Sequence, residues 1–174
     1  SLRSAGIGKP VLVLGPVTDE EFEELVRNSI MPPIYEERGT LLPLLAESLG
    51  KPIKVHLYVD TGLGRTGVPY HRALPLVERL VAQGGVEFDG VLRALTEDPE
   101  FDREQLRRLN ELYALAGDRG INLGSRHAAS SSGAIPPPES HLDMVRPGVA
   151  LYGCYPGDAE VERDEIELRP AMSL

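Results

Sequence analysis

The feature that most limits what this chain can fold into is the regular switching of its apolar pattern between short β-rich runs and longer amphipathic stretches. Switching of that kind reads as successive strand-helix units laid into a parallel sheet, and no internal sequence period accompanies it. Residues 11–15 form a buried-strand run, after which Thr18 and Glu21 make a capping box opening a helix to about Asn28. Pro32 and Pro33 introduce a weak strand near Ile34, and Leu41, Leu42, Leu45 and Leu49 then share a helical face that stops at Gly50. Residues 53–59 alternate as a strand, run into Asp60-Thr-Gly-Leu-Gly-Arg65, and lead to a helix carrying Leu74, Val77, Leu80 and Val81 that Gly84 and Gly85 end.

A fourth strand is expected over residues 86–95, followed by a helix from Asp102 with Gln105 in its cap and Leu106, Leu109 and Tyr113 on one stripe. A turn at residues 117–120 precedes a fifth strand over 121–128. A Ser- and Pro-rich loop then covers 130–138, and a sixth strand lies within 144–152, where Tyr152 is expected to pack. Six such units with right-handed crossovers curve towards a TIM-type (β/α)8 barrel that is two strands short and has two raw edges. The expected organisation is therefore an α/β partial barrel over residues 1–153 and a linker over 154–174, acidic and polar across 157–165.

Composition narrows the partners. With 174 residues and 41% apolar content the chain can bury a core. Its formal charge of -9 argues against nucleic acid and anionic membrane surfaces, so any anion site must be local. The single cysteine, Cys154, cannot close an intrachain disulfide, and no run approaches the roughly 20 apolar residues of a membrane span. A reducing cytoplasm fits these features. The N-terminus carries neither an initiator Met nor an apolar signal core, so the chain reads as cut from something longer.

In parallel barrels the chemistry sits on loops at the carboxyl ends of strands, which singles out three segments. Asp60-Thr-Gly-Leu-Gly-Arg65 sets a guanidinium among glycines, suited to an anionic ligand; its plainer reading is a tight turn in which Arg65 pairs with Asp60. Ser130-Ser-Ser-Gly133 offers hydroxyl and backbone donors to a phosphate, or serves only as a helix cap and loop. Arg146-Pro-Gly-Val149 brings a cation to a strand end, or is a core strand with a surface Arg. The four histidines, His56, His71, His127 and His141, lack the close pairings that zinc sites favour and read as structural or exposed. No metal site and no Ser-His-Asp pattern is expected.

Taken together, His56-Leu-Tyr-Val-Asp-Thr-Gly-Leu-Gly-Arg-Thr-Gly67, His127-Ala-Ala-Ser-Ser131, Asp143-Met-Val-Arg-Pro-Gly-Val-Ala-Leu-Tyr-Gly153 and Leu168-Arg-Pro-Ala-Met-Ser-Leu174 resemble the alanine racemase family in order and spacing. That resemblance implies a pyridoxal 5'-phosphate-dependent isomerase that interconverts L- and D-alanine, or another small amino acid, and supplies D-alanine for peptidoglycan. It implies that Arg65 neighbours the cofactor's phenolic oxygen and the substrate carboxylate, that Arg146 faces the ring nitrogen, and that Ser130, Ser131, Gly148 and Val149 hold the phosphate. It also implies a homodimer, and a C-terminal β domain following the linker.

The family's cofactor-bearing Lys and catalytic Tyr have no counterpart in this chain, so the chain alone is expected to be inactive. Tyr58 stands where the family commonly has Lys, Ala94 where it has His, and Ser130 where it has Asn. These departures leave an alternative, a divergent non-catalytic or regulatory homologue that binds pyridoxal phosphate or another phosphorylated ligand.

Overall fold

The computed structural model describes residues 2–135, 138–156 and 166–171. In chain order its elements are α1 (Asp19–Arg27), β1 (Pro33–Ile34), α2 (Leu41–Leu49), β2 (Ile53–Asp60), β3 (Val68–Pro69), α3 (Tyr70–Gln83), β4 (Val86–Leu92), α4 (Pro99–Gly117), β5 (Ser125–His127) and the short α5 (Ser131–Ala134), with 3-10 turns at Pro138–Ser140 and Val149–Tyr152. The strands form one parallel sheet in the order β1-β2-β4-β5, with β3 beside the end of β2. Single parallel bridges, Leu12 to Met31 and His127 to Met144, extend this order by one residue at each edge. The architecture is that of a parallel α/β barrel present in part, as the alternating pattern predicts.

Alternation in β2 sends Val55, Leu57 and Val59 to one side, where they are at most 1% exposed. They join Leu42 and Leu45 of α2, Leu76, Val77 and Leu80 of α3, and Leu109 and Leu112 of α4 in one apolar cluster. At roughly 25 cal/mol per Å² of apolar surface removed from water, this layer is the main source of stability. The other side of the sheet carries His56, Tyr58 and His127, all buried and all outside that cluster.

Several expected boundaries move. Residues 11–15 are not a full strand: Met31 N–H donates to Val11 O and Val13 N–H to Met31 O, and the run then stops against Pro16. The strand expected over 86–95 ends at Leu92, and the one expected over 121–128 begins at Ser125, after the Asn122 side chain accepts the Gly124 N–H in a turn. Helix α4 starts at Pro99, not Asp102, because Asp98 caps it by accepting from the Glu100 and Phe101 amides. An Asp followed by Pro at the first helical position is the stronger start signal. The sixth strand, expected over 144–152, is reduced to the Met144 bridge and then a 3-10 turn. Pro147 offers no N–H to a ladder, and the Gly148 and Ala150 amides donate to the Ser131 hydroxyl instead of to a neighbouring strand. Tyr152 is 56% exposed, not packed. Expectations for 157–165 lie outside the described residues. Among the described residues no helix is long and apolar enough to cross a membrane.

Candidate functional site

The carboxyl ends of β2, β4 and β5 align, since Tyr58 pairs with Leu92 and Leu92 with His127. All three expected segments leave from this rim. After β2, Asp60 accepts the Gly62 and Gly64 amides, so the loop is an Asx-type turn and its carboxylate is committed to backbone. The loop then folds back so closely that a Cβ on Gly67 would stand 2.8 Å from the Asp60 nitrogen. Arg108 of α4 braces it from outside, donating to Thr61 O at 2.7 Å with its guanidinium over the Tyr70 ring. Arg65 is exposed and has no hydrogen-bond or ion-pair partner among the described residues, so the expected alternative of an Arg65–Asp60 pair does not form.

Arg146 is held differently. Its Nη2 donates to Arg93 O at 2.6 Å and Ala128 O at 3.0 Å, while Nη1 lies 2.8 Å from His127 Nδ1. A guanidinium only donates, so His127 Nδ1 must accept and the ring proton must sit on Nε2. His127 Nε2 in turn lies 2.8 Å from His56 Nδ1, which leaves the His56 proton on Nε2. That nitrogen is 3.7 Å from Asp89 Oδ2, too far for a hydrogen bond. Asp89 is held by Lys54 at 2.8 Å on the amino side of the sheet. A line of polar groups therefore crosses the interior from Arg146 to Lys54.

Electrostatics agree with these tautomers. Burial, then the charges of Arg146 and the proximity of His56, pull His127 down to about 3. Burial also lowers His56, only partly offset by Asp89. Both rings are neutral acceptor-donors near pH 7. Burial depresses Arg146 as well, with Tyr58 opposing. The line exists because Gly90 of β4 has no side chain; a Cβ there would lie 2.6 Å from the His56 ring.

Ser131 is 4% exposed, and its Oγ accepts from Gly148 N at 2.8 Å and Ala150 N at 3.2 Å, which ties it two residues beyond Arg146. The Gly148 amide is thus engaged, while the Val149 amide has no acceptor among the described residues. Ser130 does not cap α5; its hydroxyl donates to Glu97. Arg146, Ser131, Gly148 and Val149 form one cluster, and Arg65 stands on the same rim without touching it.

Three features of this rim lie outside the sequence expectations, and only one of them, Gly90, carries a local signal. The His56–His127 pair joins residues 71 apart. Gly90 sits inside an otherwise ordinary strand, where an interior Gly signals close approach. Arg93 is fully buried, donates to Thr61 Oγ1 at 2.6 Å, an oxygen that also accepts from Gln105 of α4, and leaves Nε and Nη2 without partners among the described residues; burial brings it down to about 10.

Fold and rim together define a class: a parallel (β/α) barrel with basic and hydroxyl groups gathered at the carboxyl ends of its strands, where such barrels hold phosphorylated ligands. Residues 1–156 match the family description of the alanine racemase N-terminal domain, and the chain belongs to the alanine racemase family. Among curated relatives, the alanine racemase of Methanococcus maripaludis is 36% identical over 99% of this chain and 48% of its own length. That of Carboxydothermus hydrogenoformans is 37% identical over 99% and 48%. A solved alanine racemase from Clostridium difficile, in complex with cycloserine, superposes with a TM-score of 0.89 at 29% identity over 97% of this chain and 48% of that one. The chain spans about half the length of the relatives it matches. The family is pyridoxal-phosphate-dependent.

Proposed function

We propose that this chain forms the cofactor-holding part of a racemase acting on alanine or a similar small amino acid, within a barrel over residues 1–153. The observation that carries the reading is the setting of Arg146. Three of the five guanidinium N–H groups are used on His127, Arg93 and Ala128, leaving two to face a ligand. Bound at this rim, pyridoxal phosphate would supply a conjugated electron sink that acidifies the substrate's α C–H.

Arg146 donates a hydrogen bond without giving up its proton, so a pyridine nitrogen facing it stays unprotonated. A weaker sink favours returning a proton over other carbanion chemistry, which selects racemisation. The neutral His127–His56 line supports this by fixing the guanidinium plane and adding no charge behind it. Ser131, with the Val149 amide, would hold the phosphate, assisted by Ser130 and Gly148. The unpartnered Arg65 would bind the substrate carboxylate and the phenolic oxygen.

Proton transfer needs a base on each face of the substrate. The chain has three lysines. Lys54 is paired with Asp89 and Glu87 on the amino side, and Lys9 and Lys51 precede prolines on exposed backbone. None lies at the rim, so this chain alone binds and orients but does not racemise. In a longer protein we place the D-alanine supply of peptidoglycan, a cytoplasmic setting, a homodimer, and a β domain after residues 154–174. A second reading, a non-catalytic binder of the same cofactor, is favoured by Ala94 and Tyr58 at the rim.

Titration of the chain with pyridoxal phosphate, followed by absorbance, tests the binding step. Arg146→Ala is expected to weaken binding at least about tenfold, the loss of a charge-assisted contact, and borohydride reduction of the wild-type mixture is expected to leave no lysine adduct. Equal affinity of variant and wild type would overturn the assignment of Arg146.

A further inference from the structure

We propose that Glu97 sets the affinity of the serine cradle for phosphorylated ligands, by occupying the Ser130 hydroxyl that a phosphate would need. The inference rests on reading Ser130 and Ser131 as part of that cradle. Glu97 Oε1 accepts from Ser132 Oγ at 2.8 Å and from Ser130 Oγ at 3.3 Å. These two hydroxyls flank Ser131, whose own oxygen is already the acceptor for the Gly148 and Ala150 amides.

The local backbone delivers Glu97 to this place. Thr96 is tied to α4 through its amide, which donates to Asp102 Oδ1 and Gln105 Oε1, and through its hydroxyl, which donates to Asp102. Asp98, on the other side, caps α4. Between two fixed neighbours Glu97 adopts φ 68°, a left-handed conformation that a non-glycine residue rarely takes. Strain of this sort persists where surroundings over-determine it and gathers at ligand clamps.

No Lys or Arg pairs with Glu97 among the described residues, so the serines are its only polar partners there. A carboxylate and a phosphate seek the same donors and repel each other, so they do not share them. A cavity of about 280 Å³, lined by Glu97, Ser130 and Ser132 together with Asp102, Arg103 and Glu139, gives the carboxylate room to move. A phosphate that takes the Ser130 hydroxyl therefore requires Glu97 to release it.

The test compares wild type with Glu97→Gln, titrated with pyridoxal phosphate, inorganic phosphate and pyridoxal, which lacks the phosphate. The expected result is about tenfold tighter binding of the two phosphate-bearing probes by the variant and no change for pyridoxal, as removal of one like charge predicts. Glu97→Gly, which also removes the strained φ, is expected to give the same gain with an unfolding midpoint no lower than wild type. Equal phosphate affinity in wild type and Glu97→Gln would overturn the role of Glu97 and leave the cradle standing. A gain that extends to pyridoxal would overturn it too, because the effect would not act through the phosphate. If neither folded protein, checked by circular dichroism, binds any phosphate-bearing probe, the cradle and the proposal fall together.

Discussion

Along β2, Val55, Leu57 and Val59 turn into the helical core while His56 and Tyr58 turn the other way, and all five are at most 5% exposed. Equal burial hides opposite energetics. The apolar side gains from every buried methylene, whereas each buried ring nitrogen or guanidinium on the polar side must find a partner or cost stability. His56 Nε2 has none among the described residues. The polar side is therefore kept for what it holds, and the apolar side for holding the fold together.

The largest expected effect lies on the apolar side. Leu57→Ala, at a position with no exposed surface, should cost about 2–5 kcal/mol in urea unfolding, transfer and cavity terms together; a loss below about 1 kcal/mol would erase the contrast. The polar side should show itself through pH. His127 sits at about 3 in the folded chain against about 6.5 unfolded. Between those values the unfolded state binds more protons. Stability is therefore highest above pH ~6.5 and falls on acidification, with a slope from this group of at most about 1.4 kcal/mol per pH unit. His127→Gln removes that titration, so its urea midpoints from pH 7 to pH 4 should fall less steeply than wild type, and parallel curves would mean that the ring is not held neutral.

The smallest effect belongs outside both faces. Arg107 reaches Glu104 and Glu111 along exposed α4 with 60% of its side chain in water. Arg107→Ala should change stability by less than about 0.5 kcal/mol, and a larger loss in the same denaturation series would show that the surface pairs share the load of the core.

Much of the frame was legible in the residues. Thr18 and Glu21 form the capping box their spacing announces, with Glu21 Oε2 accepting the Thr18 amide at 2.8 Å. Gly50 ends α2 in the left-handed conformation. The start of α4 was less legible, since Asp102 and Gln105 have the spacing of a cap but spend their side chains on Thr96. At the rim, the three segments are legible from their place after strands, whereas their partners are not. Arg65 has the more suggestive loop and stands free of partners among the described residues; Arg146, in a plainer segment, is bound on three sides.

The sequence by itself determined the alternation of strand and helix, the helix ends with their caps, and the loops on which the basic and hydroxyl groups fall, because these depend on neighbours within a few residues. Only the tertiary structure decided that His56 meets His127, that Gly90 makes room for them, that Ser131 takes the amides a sixth strand would have used, and that Glu97 covers Ser130. Each of these joins residues brought close by parallel pairing, and strand pairing fixes which distant side chains share a face in a way no local pattern records.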